Sequence, residues 1–238
     1  MVVGTLLERF AEDPGAAALL LDVDGTLAPI VARPELAAVP PETRAELERL
    51  AGDYGLVACV SGRTAEDAAR IVGVEGIRYV GEHGLELHPD AGKWAARLDA
   101  FAAGVDWPAE PGKRLTVSFH YRDAEDEQGA VSYLRTVAER ALEEGFRPRW
   151  GRKVLEIRPP LEADKGTAVR GLLRDAALDR ALYAGDDATD LDAFRGLDGL
   201  EVAVRVAVVS EEAPTDLGQA ADLLVGGPDE LLELLRRL

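Results

Sequence analysis

The sequence predicts an α/β protein, a Rossmann-like parallel-sheet core with an inserted α+β unit. Short apolar runs alternate with helical segments early and late in the chain, the rhythm of a parallel sheet wrapped by helices. Between these stretches the pattern changes to alternating polarity, which suits antiparallel strands with one exposed face. Acidic or small polar residues stand directly after the apolar runs, where open parallel sheets bind their ligands.

Taken in order, Ala18–Val23 is an apolar run broken only by Asp22, as expected of a strand covered on both faces. Pro40-Pro41-Glu42 opens a helix reaching about Ala51, with proline suited to its first turn. Leu56–Val60 is a second buried strand. Thr64, with Asp67 three residues on, resembles the capped start of a helix that ends near Gly73. Tyr79-Val80 is a short third strand. After Gly84 the rhythm changes: Arg114–Arg122 alternates like a half-exposed strand, and Ala130–Glu144 reads as an amphipathic helix. Phe146–Trp150 and Lys153–Arg158 then form a hairpin around Gly151. Past Pro159-Pro160 come a helix after Lys165, a strand at Ala181–Ala184 and a helix at Leu191–Leu197. Strands at Val202–Val206 and Leu223–Val225 follow, then a helix from Pro228 to Leu238. The expected division is a core from 1–84 and 159–238, with the inserted unit at 85–158.

The formal net charge is −17, which repels nucleic acid and anionic membranes at long range, so neither is an expected partner. Apolar runs fall short of the roughly 20 residues that a membrane span needs. The N-terminus carries acids in its first fifteen residues and lacks a basic leader with a cleavable apolar stretch, so a cytoplasmic protein is expected. A monomer is expected too. Cys59 is the only cysteine. It excludes an intrachain disulfide and, inside an apolar run, is expected to be a buried, inert thiol.

Four segments carry chemistry. Asp22-Val23-Asp24-Gly25-Thr26 ends the first strand, and residues two apart on a strand point the same way, so both carboxylates would face one site. Adjacent carboxylates repel unless a cation joins them, and hard oxygen ligands favour Mg²⁺. Gly25 permits a sharp turn, and Thr26 offers a hydroxyl and an N–H to an anion. An Asp in an apolar run is costly without a partner, which favours a site over a plain polar turn. Ser61-Gly62-Arg63 ends the second strand and, with the helix that follows, makes a phosphate cradle; many loops share that tripeptide. Lys165 follows Asp164 at a helix start, where positive charge is mildly unfavourable, which suits a lysine held for an anion; taken alone, an ordinary surface lysine is the better reading. Gly185-Asp186-Asp187-Ala188-Thr189-Asp190 places three acids in five residues after a buried strand. Asp186 suits a metal site, while Asp187 and Asp190 suit either that site or the capping of the next helix.

Together Asp22-x-Asp24-Gly-Thr, Ser61, Lys165 and Gly185-Asp186-Asp187 resemble, in order, the four motifs of the haloacid dehalogenase superfamily of phosphohydrolases. The resemblance implies that Asp22 is the nucleophile and a metal ligand. It implies that Asp24 binds Mg²⁺ through its backbone carbonyl while its side chain acts as general acid and base. Ser61 and Lys165 would hold phosphoryl oxygens, and Asp186 would complete the metal site. A long segment between the second and third motifs resembles the C2 type of cap.

Further strings narrow the resemblance. Gly81-Glu82-His83-Gly84, His120-Tyr121-Arg122, Lys153-Val-Leu-Glu156-Ile-Arg158-Pro159 and Gly185–Phe194 look like the trehalose-6-phosphate phosphatase family. That implies Mg²⁺-dependent hydrolysis of a small sugar phosphate, trehalose 6-phosphate, to trehalose and phosphate through an aspartyl phosphate, with Thr26, Ser61, Gly62, Arg63, Glu82, His83, His120, Arg122, Lys153, Glu156 and Arg158 as candidate substrate contacts. Lys153 and Glu156 suit sugar hydroxyls, which are donors and acceptors at once and bind charged partners well. The alternatives are a phosphatase for sucrose phosphate or mannosyl-3-phosphoglycerate, a phosphosugar mutase on the same core, and a non-catalytic phosphosugar-binding domain.

Overall fold

A computed structural model describes residues 3–31, 33–151, 153–210 and 214–238. The chain divides into two compact units, one of residues 1–84 and 163–238, the other of residues 85–162. The first passage through unit one forms α1 (Val3–Ala11), β1 (Ala18–Leu21), α2 (Pro41–Asp53), β2 (Leu56–Val60), α3 (Ala65–Val72) and β3 (Arg78–Val80). The inserted unit holds α4 (Ala91–Ala103), β4 (Val117–His120), α5 (Glu127–Glu143), β5 (Arg147–Gly151) and β6 (Val154–Arg158). The chain returns with α6 (Lys165–Ala176), β7 (Arg180–Gly185), α7 (Asp190–Gly196), β8 (Val202–Val208), α8 (Thr215–Ala220), β9 (Leu223–Val225) and α9 (Pro228–Leu235).

Six parallel strands order as β3-β2-β1-β7-β8-β9. β1 therefore sits at the point where the strand order reverses, which in open α/β sheets is where a ligand crevice forms beyond the carboxyl ends. The continuous apolar run of β1 has a direct cause. Leu19 and Leu21 join the layer that contains Leu47, Leu50, Ile71, Leu231 and Leu235 from α2, α3 and α9. Ala18 and Leu20 join the opposite layer, with Val169, Leu172 and Leu173 of α6 and Phe194 of α7. With a side-chain period of two and a covered face on each side, both sets must be apolar.

The inserted unit obeys the other rule. Its antiparallel sheet, ordered β4-β6-β5, buries Leu155 and Ile157 of β6 beside Leu98 and Phe101 of α4 and Leu134 and Val137 of α5. Val154, Glu156 and Arg158 alternate with them and remain partly exposed. β4 is shorter than the predicted Arg114–Arg122, because its partner β6 pairs only from Val117↔Ile157 to His120↔Val154. A strand extends only as far as there are partner groups for its hydrogen bonds.

Local signals explain the helix starts. Thr64 caps α3 by accepting from the Asp67 N–H at 3.2 Å, and Gly73 ends the helix in the left-handed conformation. Asp164 caps α6 in a reciprocal box with Thr167. No helix among the described residues is long and apolar enough to cross a membrane. Cys59 is fully buried, and burial pushes its thiol far above the usual range.

Candidate active site

Asp22 is the first residue beyond β1, and its N–H still bonds to the Ala184 carbonyl of β7 at 2.9 Å. The strand ends there because the chain turns: Leu27 and Ala28 both donate to the Val23 carbonyl, and Gly25 takes φ +78°. A Cβ on Gly25 would fall inside the Asp186 carboxylate, so only glycine lets the loop after β1 approach the loop after β7 this closely. Thr26, fully buried, donates to Asp186 Oδ1 at 3.3 Å.

Lys165, at the start of α6, is 2% exposed. Its Nζ lies 2.8 Å from Asp22 Oδ1 and 2.7 Å from Asp190 Oδ1. Asp190 also accepts from the Tyr183 hydroxyl at 2.7 Å and from the N–H groups of Asp186 and Asp187 at 2.9 Å each. Those bonds take the roughly four acceptor positions of a carboxylate. Asp190 is therefore a fixed post that aims Lys165 and shapes the loop after β7. The sequence left its role open between metal site and helix cap, and the role of Tyr183 was missed. A tyrosine in an otherwise apolar buried strand was the available signal, since its hydroxyl needs a partner.

Carboxylate oxygens of Asp22, Asp186 and Asp190 lie within 4.8 Å of one another. Burial pushes the Asp22 carboxyl well above the usual range; Lys165 opposes that, and Asp190 and Asp186 add to it. Asp186 is raised to about 6 by burial, then by repulsion from Asp190 and Asp187. Burial works against the Lys165 ammonium, yet Asp22 and Asp190 hold its proton more firmly than usual. One lysine among three carboxylates leaves an excess of negative charge, and the donors are hard oxygens. That set fits a divalent cation. With Asp190 saturated, Asp22 and Asp186 are the carboxylates with acceptor positions to spare.

The Asp24 carboxylate does not join this cluster. It receives Arg63 Nε at 2.6 Å and Nη2 at 2.7 Å. The backbone places Arg63 for this, since its N–H bonds to Ser61 Oγ at 3.2 Å and its carbonyl accepts from Glu82 N–H at 2.7 Å. Ser61, 1% exposed, follows β2. The Ser61 carbonyl accepts from His83 N–H at 2.9 Å, which ties the loop after β2 to the loop after β3. Glu82 and His83 take the left-handed φ values +47° and +58°, uncommon for side-chain-bearing residues and frequent at functional sites. The His83 ring occupies the space that a Cβ on Gly62 would need, which accounts for the glycine. Ser61, Gly62, Arg63, Glu82 and His83 are thus one connected platform.

The remaining candidates lie in the inserted unit. His120, the last residue of β4, reaches Glu110 at 3.1 Å. Glu156 stands between Ser118 and Arg149 in register, and Arg158 opposite Arg147. Lys153 takes φ +62° in the turn between β5 and β6, and its ammonium pairs with Glu127. Arg122 is exposed. Glu156, Arg158 and His120 share the sheet face that α4 and α5 leave uncovered, while Lys153 belongs to the turn at its end.

Known proteins resemble this chain in sequence and in fold. The trehalose-phosphate phosphatase of Mycobacterium marinum is 32% identical over 244 residues, which cover 93% of this chain and 61% of that protein. The chain thus spans about three fifths of the length of such curated relatives. The C-terminal domain of a trehalose-6-phosphate phosphatase from C. albicans has the same fold, with a TM-score of 0.71 at 22% identity over 99% of this chain and 96% of that one. An Aspergillus fumigatus trehalose-6-phosphate phosphatase superposes with a TM-score of 0.66 at 22% identity, covering 100% of this chain and 97% of that one. The trehalose-phosphatase family model matches residues 20–110 and 112–221. With the buried Asp22–Lys165–Asp190 cluster at its centre, this chain belongs to the trehalose-phosphatase family.

Proposed function

We propose that the chain is a Mg²⁺-dependent phosphatase that hydrolyses trehalose 6-phosphate to trehalose and phosphate through an aspartyl phosphate on Asp22. The observation that carries this reading is the buried Lys165 ammonium 2.8 Å from the Asp22 carboxylate, beside a second acid, Asp186, with acceptor capacity to spare. A carboxylate nucleophile needs exactly such company: it must stay ionised in a dry site and approach an anionic phosphate. The family match supports trehalose 6-phosphate as the ester.

Asp22 attacks phosphorus through one carboxylate oxygen, and the sugar oxygen leaves. Asp24 supplies the proton to that leaving oxygen, then takes one from the water that displaces Asp22. Splitting hydrolysis this way replaces one difficult step by two easier ones. Lys165 and the N–H groups beyond Asp22 and Ser61 offset charge on the transferring group, which is most of what phosphoryl transfer asks of a protein. Asp22 and Asp186 would hold Mg²⁺, with the Asp24 carbonyl; when bound, the ion supplies charge neutralisation at the phosphoryl oxygens. Glu156, Lys153, His120, Arg122 and Arg158 are proposed to read the sugar, with the inserted unit as the specificity domain.

The test is phosphate release from a panel containing trehalose 6-phosphate, sucrose 6-phosphate, mannosyl-3-phosphoglycerate and glucose phosphates. Preference for trehalose 6-phosphate supports the reading. Phosphate moved within a sugar and not released would identify a mutase. Binding without turnover would identify a phosphosugar sensor.

A further inference from the structure

We infer that Arg63 is a positioning residue that aims the Asp24 carboxylate, not a ligand of the substrate phosphate. The inference rests on the phosphatase reading above and departs from the sequence expectation that Arg63 touches substrate.

The guanidinium has five N–H groups in a fixed fork. Nε and Nη2 grip the two Asp24 oxygens at 2.6 and 2.7 Å, Nη2 also reaches the Pro34 carbonyl at 3.2 Å, and Nη1 binds Asp67 at 2.7 Å. Four of the five donors are therefore engaged within the protein, which leaves one at most for any ligand. The fork itself is anchored. Asp67 sits in the first turn of α3, where its N–H bonds to Thr64 and its other oxygen accepts from Arg70 at 2.6 Å. A chain of charge-assisted bonds thus runs from the rigid start of α3 to the carboxylate beyond β1. Such bidentate pairs fix orientation as well as distance.

The grip is compatible with acid–base work. It takes one acceptor position on each Asp24 oxygen and leaves one on each. In the first step the sugar oxygen takes the proton from that free position as its bond to phosphorus breaks and the Asp22 oxygen–phosphorus bond forms. In the second step water returns a proton to Asp24 as its oxygen displaces Asp22. Both transfers need the carboxylate held at one angle, and Arg63 is what holds it.

The experiment compares Arg63→Ala, Asp24→Asn and the double variant in Mg²⁺, on trehalose 6-phosphate and on p-nitrophenyl phosphate, whose phenolate leaves without a proton. On the sugar phosphate, Arg63→Ala is expected to lose kcat by roughly 100-fold, with KM changed by less than about threefold. On the aryl ester it is expected to release a rapid burst of about one phenolate per enzyme, followed by slow turnover, because only the second step still needs Asp24. The double variant is expected to be no slower than Asp24→Asn alone, since the two act as one unit. A rise in KM at unchanged kcat, a missing burst, or losses that multiply in the double variant would overturn the inference. Should Arg63→Ala not fold, Arg63→Lys keeps the charge and loses the fork, and the same burst and non-additivity apply to it. If the unaltered chain spares trehalose 6-phosphate but cleaves another alkyl phosphate, the substrate reading alone fails, and that ester takes its place in the comparison. A chain that turns over no phosphate ester overturns both.

Discussion

The two units hold their charged residues in opposite ways. In the core, Lys165, Asp22 and Asp190 are almost fully buried and bonded to one another. In the inserted unit, His120, Glu156, Arg158 and Lys153 stand on an open sheet face or its turn, partly exposed and paired with neighbours such as Glu110 and Glu127. The difference teaches what each region can change. A buried network loses several interactions when one member is removed, so it is fixed together. An exposed ion pair contributes about 0–1 kcal/mol and exchanges readily for a ligand's hydroxyl groups.

Asp22→Asn should break the comparison most sharply. It keeps the shape of the side chain while removing the attacking charge, so turnover is expected to fall by roughly 10⁴-fold or more. A folded variant that retained a tenth of the activity would refute the aspartyl-phosphate route. Asp190→Ala comes next. It strips the Tyr183 hydroxyl, two N–H groups and one side of Lys165 of their partner, and a loss of about 3–5 kcal/mol in unfolding free energy is expected. Chemical denaturation measures it, and a loss below about 1 kcal/mol would mean that water takes over the role of the carboxylate.

Metal removal tests the charge imbalance directly. Chelation should abolish turnover, Mg²⁺ should restore it, and the ion should raise the melting temperature, since binding at about 100 times Kd stabilises by ~2.7 kcal/mol. Asp186→Asn should blunt that rise. A chelated, metal-free sample with full activity would exclude a metal role. The smallest effects belong to the inserted unit. Lys153→Ala and Glu156→Ala should each lower kcat/KM for trehalose 6-phosphate by about 10–150-fold, the equivalent of a lost charged hydrogen bond. Their slow hydrolysis of an aryl phosphate should change little, and stability should stay within about 0.5 kcal/mol. Equal losses on both esters would assign these residues to structure.

Much of the core was legible because its strands report burial on both faces. Ala18–Leu21 and Leu56–Val60 are continuous apolar runs, and the polar residues after them announce the crevice. The helices at Val3–Ala11, Ala91–Ala103 and Thr215–Ala220 went unpredicted, although in the second Trp94, Leu98 and Phe101 carry the helical spacing. Alanine makes up most of the rest of that helix, and a residue that is neither clearly apolar nor polar blurs the period. Asp24 shows a limit of another kind. Spacing on a strand placed its carboxylate beside that of Asp22, but β1 stops at Leu21 and Arg63 draws the side chain elsewhere. A contact between residues 39 positions apart has no local signature. Asp190 is similar: its acidity was visible, but not that four partners would converge on it.

Gly84, where the chain leaves the core, lies against the place where it comes back. A Cβ there would stand 2.9 Å from the Asp164 carbonyl and 2.8 Å from the Ala168 methyl. The excursion between them therefore begins and ends at nearly one point, and closing it with a few flexible residues in place of 85–162 costs little loop entropy. Such a shortened chain should still fold, because among the described residues its two apolar layers are drawn from unit one. In genetic terms the inserted segment is a cassette: it can be lengthened, exchanged or deleted without rewriting the sheet that holds Asp22.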